Sequence, residues 1–142
     1  MKLVRYGNPG REKPGLIDAE GKLRDLSGVV PDLGPAQLAP AALARLRKLK
    51  TDKLPAVRGK PRMGCPVSGT GKFIAIGLNF ADHAAESGAP IPKEPIVFMK
   101  AVTCLQGPND PVMLPKGSVK TDWEVELAVI IGTRARYVPQ SK

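Results

Sequence analysis

Apolar and polar positions alternate along this chain in short runs separated by turn-forming residues. Residues 2–6 (KLVRY) and 15–26 (GLIDAEGKLRDL) read as strands, and the second stretch folds back at Ala19-Glu20-Gly21 as a small antiparallel hairpin. Breakers recur in PDLGPAQLAPAA (31–42). Leu43, Leu46 and Leu49 then follow at helical spacing behind Pro40, which predicts a short helix over about residues 40–50. Further on, Phe73–Gly77 (FIAIG), Ile96–Lys100 (IVFMK), Val112–Leu114 and Glu124–Ile131 (EVELAVII) carry strand patterns, with a turn at Gly107-Pro108-Asn109-Asp110-Pro111. These strands lie too close together for a regular βαβ array. The expectation is an α+β fold, mostly β, with a small N-terminal domain over 1–66 and a second domain from 67 to 142.

With 142 residues, the chain can hold one ordinary domain, or a small module and part of another. Its 42% hydrophobic content argues against disorder, and its 4% aromatic content argues against a stacking surface for single-stranded nucleic acid. Cys65 and Cys104 match no metal or thiol-redox spacing. The N-terminus has no apolar signal core and no stretch is long enough to span a bilayer, so a soluble cytoplasmic protein without a membrane partner is expected.

The 22 basic residues exceed the 13 acidic ones by nine, and residues 45–62 hold eight of the basic ones with a single acid. A nucleic-acid surface competes there with a solvated helix face and linker. The breakers Pro55, Gly59 and Pro61 and the lack of any aromatic favour the second, so nucleic acid is not the expected partner. Residues 65–72 (CPVSGTGK) fail as a phosphate loop, because Pro66 and Phe73 stand where Gly and Ser or Thr are required.

His83, the only histidine, lies in GLNFADHAAE (77–86), where Asn79 is expected to cap a short helix. Glu86 falls one turn later on the same face. It could orient the imidazole for proton abstraction from water, although such pairs are also ordinary surface ion pairs. In TDWEVELAVIIG (121–132), alternation puts Trp123, Val125, Leu127, Val129 and Ile131 on one face, with Asp122, Glu124 and Glu126 on the other. Carboxylates aligned in this way suit a hard divalent cation, or else the acidic rim of an edge strand. Lys100 and Asp110 have bland readings as a strand-end lysine and a turn residue.

GLNFADHAAE, EPIVFMKAVTCLQGPNDPVMLP (94–115) and KTDWEVELAVIIGTRARYV (120–138), in that order, closely resemble the fumarylacetoacetate hydrolase family. The opening MKLVRYGNPGREKPGLIDAEGKLRDLS is similar to the small domain that leads its bacterial members. The resemblance implies a mixed β-roll catalytic domain that binds Mg²⁺ or Mn²⁺ through Glu124 and Glu126, with a third Asp ligand beyond Lys142. It places His83 and Glu86 on a water-activating dyad. It gives Lys100 a substrate-binding role, although Ala101 replaces the proline that follows it in the family and Phe80 stands where Tyr is commoner. The implied activity is hydrolysis of a C–C bond in a 2-oxo or 1,3-dioxo acid, by a homodimer when full length. Ureidoglycolate cleavage, decarboxylation and isomerisation of oxo acids are alternatives on the same metal platform.

Because the sequence stops before the expected Asp and the strands that close the roll, an incomplete catalytic domain, inactive alone, is expected. A non-catalytic remnant, a basic interaction module and a split enzyme completed by a second chain are the rivals.

Overall fold

The computed structural model describes residues 1–141 and has an α+β architecture that is mostly β. Contacts divide the chain into two units, one made of Met1–Ser68 with Gly107–Lys142 and the other of Gly69–Gln106.

In the first unit, β1 (Lys2–Tyr6), β2 (Lys13–Ile17) and β3 (Leu23–Asp25) form an antiparallel sheet in that order. Leu3 lies opposite Leu16, and Leu16 opposite Arg24. The β2–β3 turn falls at the predicted residues. Asp18 accepts the amides of Glu20 and Lys22 at 3.1 and 2.8 Å, and Gly21 takes a φ of 76° that side chains resist. Asp18 is itself buried, and Arg24 meets it at 2.7 Å while also reaching the Leu54 carbonyl at 3.3 Å. The Arg24 hydrogen bond, with the Lys22 amide, holds the Asp18 carboxyl below its ordinary range despite burial. In the central strand, a side chain at Gly15 would meet the Arg24 carbonyl oxygen at 3.0 Å and the Tyr6 ring at 3.1 Å. Only glycine lets the strands approach this closely.

Helices α1 (Pro35–Leu38) and α2 (Pro40–Arg47) each start with proline in the first turn, where its missing N–H costs no helical bond. The predicted helix ends at Arg47, three residues short of position 50, and a 3-10 turn follows at Thr51–Lys53. Ala42 and Leu46, four residues apart, are buried on one face, while Arg45 and Arg47 stay exposed near the negative end of the helix. With Tyr6, Pro14, Leu16, Leu26 and Leu33 they form the core.

The stretch 55–64 does more than link. Asp25 donates its amide to the Pro55 carbonyl at 2.8 Å and Val57 donates to Leu23 at 2.9 Å, closing the β3 edge. Gly7 donates to Arg62 at 2.9 Å and Gly64 to Arg5 at 2.8 Å, closing the β1 edge. Both sheet edges are thereby paired.

Arg62, at the end of the basic run, is held in a line of alternating charges. It binds Asp110 through two nitrogens at 2.7 and 2.6 Å, Glu12 at 3.0 Å and the Gly7 carbonyl at 3.1 Å. Glu12 lies 3.6 Å from Arg5, which grips Asp32 at 2.7 and 3.1 Å and reaches the Cys65 carbonyl at 3.3 Å. The Gly107 amide donates to Asp110 at 2.8 Å, and a side chain at Gly107 would collide with the Met63 carbonyl oxygen. The turn at 107–111 is therefore pinned to the N-terminal sheet across 48 residues of sequence.

Val112–Leu114 and Glu124–Ile131, read from alternation as strands, form none. A strand needs a ladder partner, and among the described residues no backbone–backbone hydrogen bond reaches 119–131, where the Trp123 amide turns to the neighbouring Asp122 carboxylate at 2.8 Å. Further along, Gly132 passes so close to α1 that a side chain there would meet the Leu38 carbonyl oxygen at 2.9 Å.

In the second unit, β4 (Phe73–Gly77) and β5 (Ile96–Lys100) match the predicted strands and pair antiparallel, with Phe73 opposite Lys100 and Gly77 opposite Ile96. Helix α3 (Ala81–Glu86) stands between them in sequence, and a 3-10 turn follows at Val102–Cys104. Both cysteines are free. No described helix is long and apolar enough to cross a membrane.

Asp110 is held below its ordinary carboxyl range by the Arg62 hydrogen bond and the Gly107 amide. Burial alone would raise Glu12 and Asp32. At Glu12 its own backbone amide, the Arg62 hydrogen bond and the Arg5 charge outweigh burial, and at Asp32 the Arg5 hydrogen bond and the Leu33 amide do so. Depressed folded values stabilise the fold above the ordinary values of 4.5 for Glu and 3.8 for Asp, and that stability is lost as pH falls through the lower folded values. Urea midpoints should therefore be flat near neutral pH and drop below about pH 4, and Arg62→Ala should lower the neutral midpoint and shrink the acid-dependent drop. Leu16→Ala, in the core at 1% exposure, should cost about 3 kcal/mol in the same titration.

Candidate functional site

The five candidate residues divide between the two units: His83, Glu86 and Lys100 lie in Gly69–Gln106, and Glu124 and Glu126 in the other unit. Each group is built by its own local structure.

The turn after β4 carries Leu78 at a φ of 48°, a left-handed backbone that costs a branched side chain about 1 kcal/mol. It delays the helix, so that Phe80, and not Asn79 as expected, occupies the N-cap position in extended geometry with no side-chain cap. Asp82 supplies an acceptor instead, taking the His83 amide at 2.9 Å. Helix α3 then runs for six residues and buries only Ala84, which leaves His83 and Glu86 exposed one turn apart. No hydrogen bond or ion pair joins their side chains among the described residues. The His83 carbonyl accepts the Ser87 hydroxyl at 2.6 Å, a bond that secures the end of the helix. Lys100 closes β5 opposite Phe73 and is half-buried.

Glu124 and Glu126 lie in the unpaired extended stretch and are exposed. Among the described residues, no three His, Cys, Asp or Glu side chains gather closely enough to hold a metal ion. The two glutamates match a hard cation in kind, since Mg²⁺ and Mn²⁺ take carboxylate oxygens, but two carboxylates do not make a site. A cleft of about 540 Å³ in the first unit, lined among others by Lys2, Leu46 and Arg47, contains none of the five.

The strongest side-chain geometry in the molecule therefore lies elsewhere, in Asp18–Arg24 and the Arg5–Glu12–Arg62–Asp110 line, which the sequence reading did not single out. Their partners are satisfied within the fold, which marks them as structural.

Comparison with known proteins places these residues in context. The family model described as fumarylacetoacetate (FAA) hydrolase C-terminal matches residues 72–142, a span that contains all five candidates. A Burkholderia multivorans protein carrying a provisional hydrolase name is 58% identical over all 142 residues, and a similarly named Burkholderia ambifaria protein matches to the same degree. The chain spans 50% of the length of each of these curated relatives. A crystal structure of a Mycobacterium smegmatis protein provisionally named HpcE superposes with a TM-score of 0.64 at 28% identity, covering 83% of this chain and 42% of that one.

The unpaired stretch gives a direct expectation. In hydrogen-exchange measurements on the chain alone, amides of residues 119–131 should exchange at close to unstructured rates, while ladder amides of β1 and β2 are protected.

Proposed function

The chain belongs to the fumarylacetoacetate hydrolase family, and on that premise we propose that it forms the first part of a divalent-metal-dependent hydrolase that cleaves a C–C bond in a 2-oxo or 1,3-dioxo acid. The family match across residues 72–142 carries this reading, since it embraces His83, Glu86, Lys100, Glu124 and Glu126 together. Residues 1–66 are the leading domain in this account, and residues 67–142 begin the catalytic β-roll of a cytoplasmic homodimer.

Each residue then has a chemical task. Glu124 and Glu126 would supply two carboxylates to Mg²⁺ or Mn²⁺, alongside a third Asp ligand expected beyond Lys142. The bound cation would polarise the substrate's oxo group and stabilise negative charge developing there. His83, exposed on α3 with its imidazole free of other partners among the described residues, takes a proton from the attacking water. Glu86, one turn on, orients the ring and stabilises its charged form. After the C–C bond breaks, the imidazolium returns that proton to the departing carbon. Lys100 offers its ammonium to the substrate carboxylate.

The test is a chimera in which this chain is joined after Lys142 to the half of the B. multivorans relative that it does not match. It should hydrolyse a 2,4-dioxo acid only with Mn²⁺ or Mg²⁺ present. Glu124→Gln should weaken Mn²⁺ binding at least about tenfold. His83→Ala should leave Mn²⁺ binding intact and lower kcat by roughly a hundredfold or more. Unchanged turnover in the His83 variant would remove its role as base, and unchanged Mn²⁺ titration in the Glu124 variant would remove the metal assignment.

A further inference from the structure

Lys2, Ile17 and Leu23 stand opposite one another across β1, β2 and β3, so they form one row on one side of the sheet, at the end where the β2–β3 hairpin turns. The row joins two clefts of the first unit. Lys2 and Ile17 line the cleft of about 540 Å³, and Ile17 and Leu23 line a second of about 520 Å³. Both have the size of sites that take small molecules or the side chains of a bound peptide. Each combines an aliphatic floor with a basic rim: Leu16 and Leu46 with Lys2 and Arg47 in the first, Leu23 and Val57 with Lys22 and Lys60 in the second.

From this geometry we propose that the face spanning the two clefts is a docking surface for an acidic polypeptide segment in extended form, with aliphatic side chains entering the clefts and carboxylates meeting the rim. Charge complementarity identifies that occupant. The four rim cations are exposed, and none has a carboxylate partner among the described residues. The nearby acids do not neutralise them. Asp18, which lines the first cleft, is bound by Arg24 at 2.7 Å, Asp52 lies 4.0 Å from Lys53, and Glu20 in the hairpin turn lines neither cleft. Two separate parts of the sequence supply the rim, Lys2 and Lys22 from the sheet and Arg47 and Lys60 from the basic run, whose Arg62 is engaged instead with Glu12 and Asp110.

A single-stranded nucleic acid is the competing occupant, because it too would answer the charge. Its bases bind by stacking on aromatic rings, and no aromatic side chain lines either cleft. Aliphatic floors favour instead the withdrawal of Leu, Ile or Val side chains from water. The rim charges then steer the encounter and fix the register of the segment, while the floors slow its release. The inference stands apart from metal binding and from hydrolysis, since neither cleft contains His83, Glu86, Lys100, Glu124 or Glu126.

The test is fluorescence anisotropy on this chain with a short dye-labelled peptide of Glu and Leu separated by Gly. Its affinity should fall as salt is raised, and exchanging its leucines for Ser should weaken binding at least about tenfold. Arg47→Glu with Lys60→Glu should also weaken it at least about tenfold. Lys116→Glu with Lys120→Glu alters net charge equally at exposed positions that line neither cleft, and should leave affinity within about twofold. Both pairs keep the apolar row at 119–131, so a difference between them cannot come from binding there. Arg47→Gln with Lys60→Gln should lose affinity in the same direction, with an unchanged urea midpoint showing that the fold is kept. Equal weakening by the two charge-reversed pairs would overturn the inference, as would undiminished binding of the leucine-free peptide. So would tighter binding of a single-stranded oligonucleotide at the same salt, which would make phosphate the ligand of this face, or no binding of the peptide at low salt.

Discussion

One guanidinium organises much of the first unit. Arg62 joins Asp110, Glu12 and the Gly7 carbonyl, and through Glu12 it is continuous with Arg5 and Asp32. Each of these residues comes from a different place in the sequence: β1, the turn before β2, the loop before α1, the edge segment that ends the basic run, and the turn at 107–111. Charges set this close and partly withdrawn from water are held only while every partner is present, because removing one leaves another unpaired in a poorly solvated place. The backbone follows the side chains. Residues 62–64 lie along β1 and residues 55–57 along β3, so a small three-stranded sheet of limited core gains closed edges.

The parts of this architecture that were legible in the sequence are those decided by neighbours. FIAIG and IVFMK are uninterrupted apolar runs between turns, and they form the strands expected of them. Pro40 marks the start of α2, and Asp18 to Gly21 make the hairpin turn through local hydrogen bonds. What escaped the pattern is long-range. Nothing in the spacing of Arg62 and Asp110 reveals a pair 48 residues apart, and the basic run around Arg62 reads as solvated because composition cannot show which member is turned inward. EVELAVII has the alternation of a strand and is not one, since a strand is a property of two backbones and only one is present. At Asn79 the reading failed by a single residue, because the positive φ of Leu78 moved the helix start.

The candidate chemistry follows the same division. Residue types and order at positions 83, 86, 100, 124 and 126 were readable one by one, and the family match covers them all. Their mutual geometry was not, because it is set by long-range packing and not by neighbours in sequence: His83, Glu86 and Lys100 fall in one unit, and Glu124 and Glu126 in the other. Exposed carboxylates on an unpaired backbone and a histidine on a six-residue helix are components whose arrangement is set by packing they do not themselves supply.

The ion pairs that close the first unit engage four carboxylates, Glu12, Asp18, Asp32 and Asp110, but only three guanidiniums, Arg5, Arg24 and Arg62. The charges left facing solvent are therefore even more one-sided than the composition indicates. Copies of the chain repel one another at low ionic strength, and this repulsion opposes contact between the bare apolar rows at 119–131. Colloidal stability and internal folding thus act in the same direction: the network spends one more acid than base, and the cationic excess left facing solvent opposes association of the apolar rows until salt screens it.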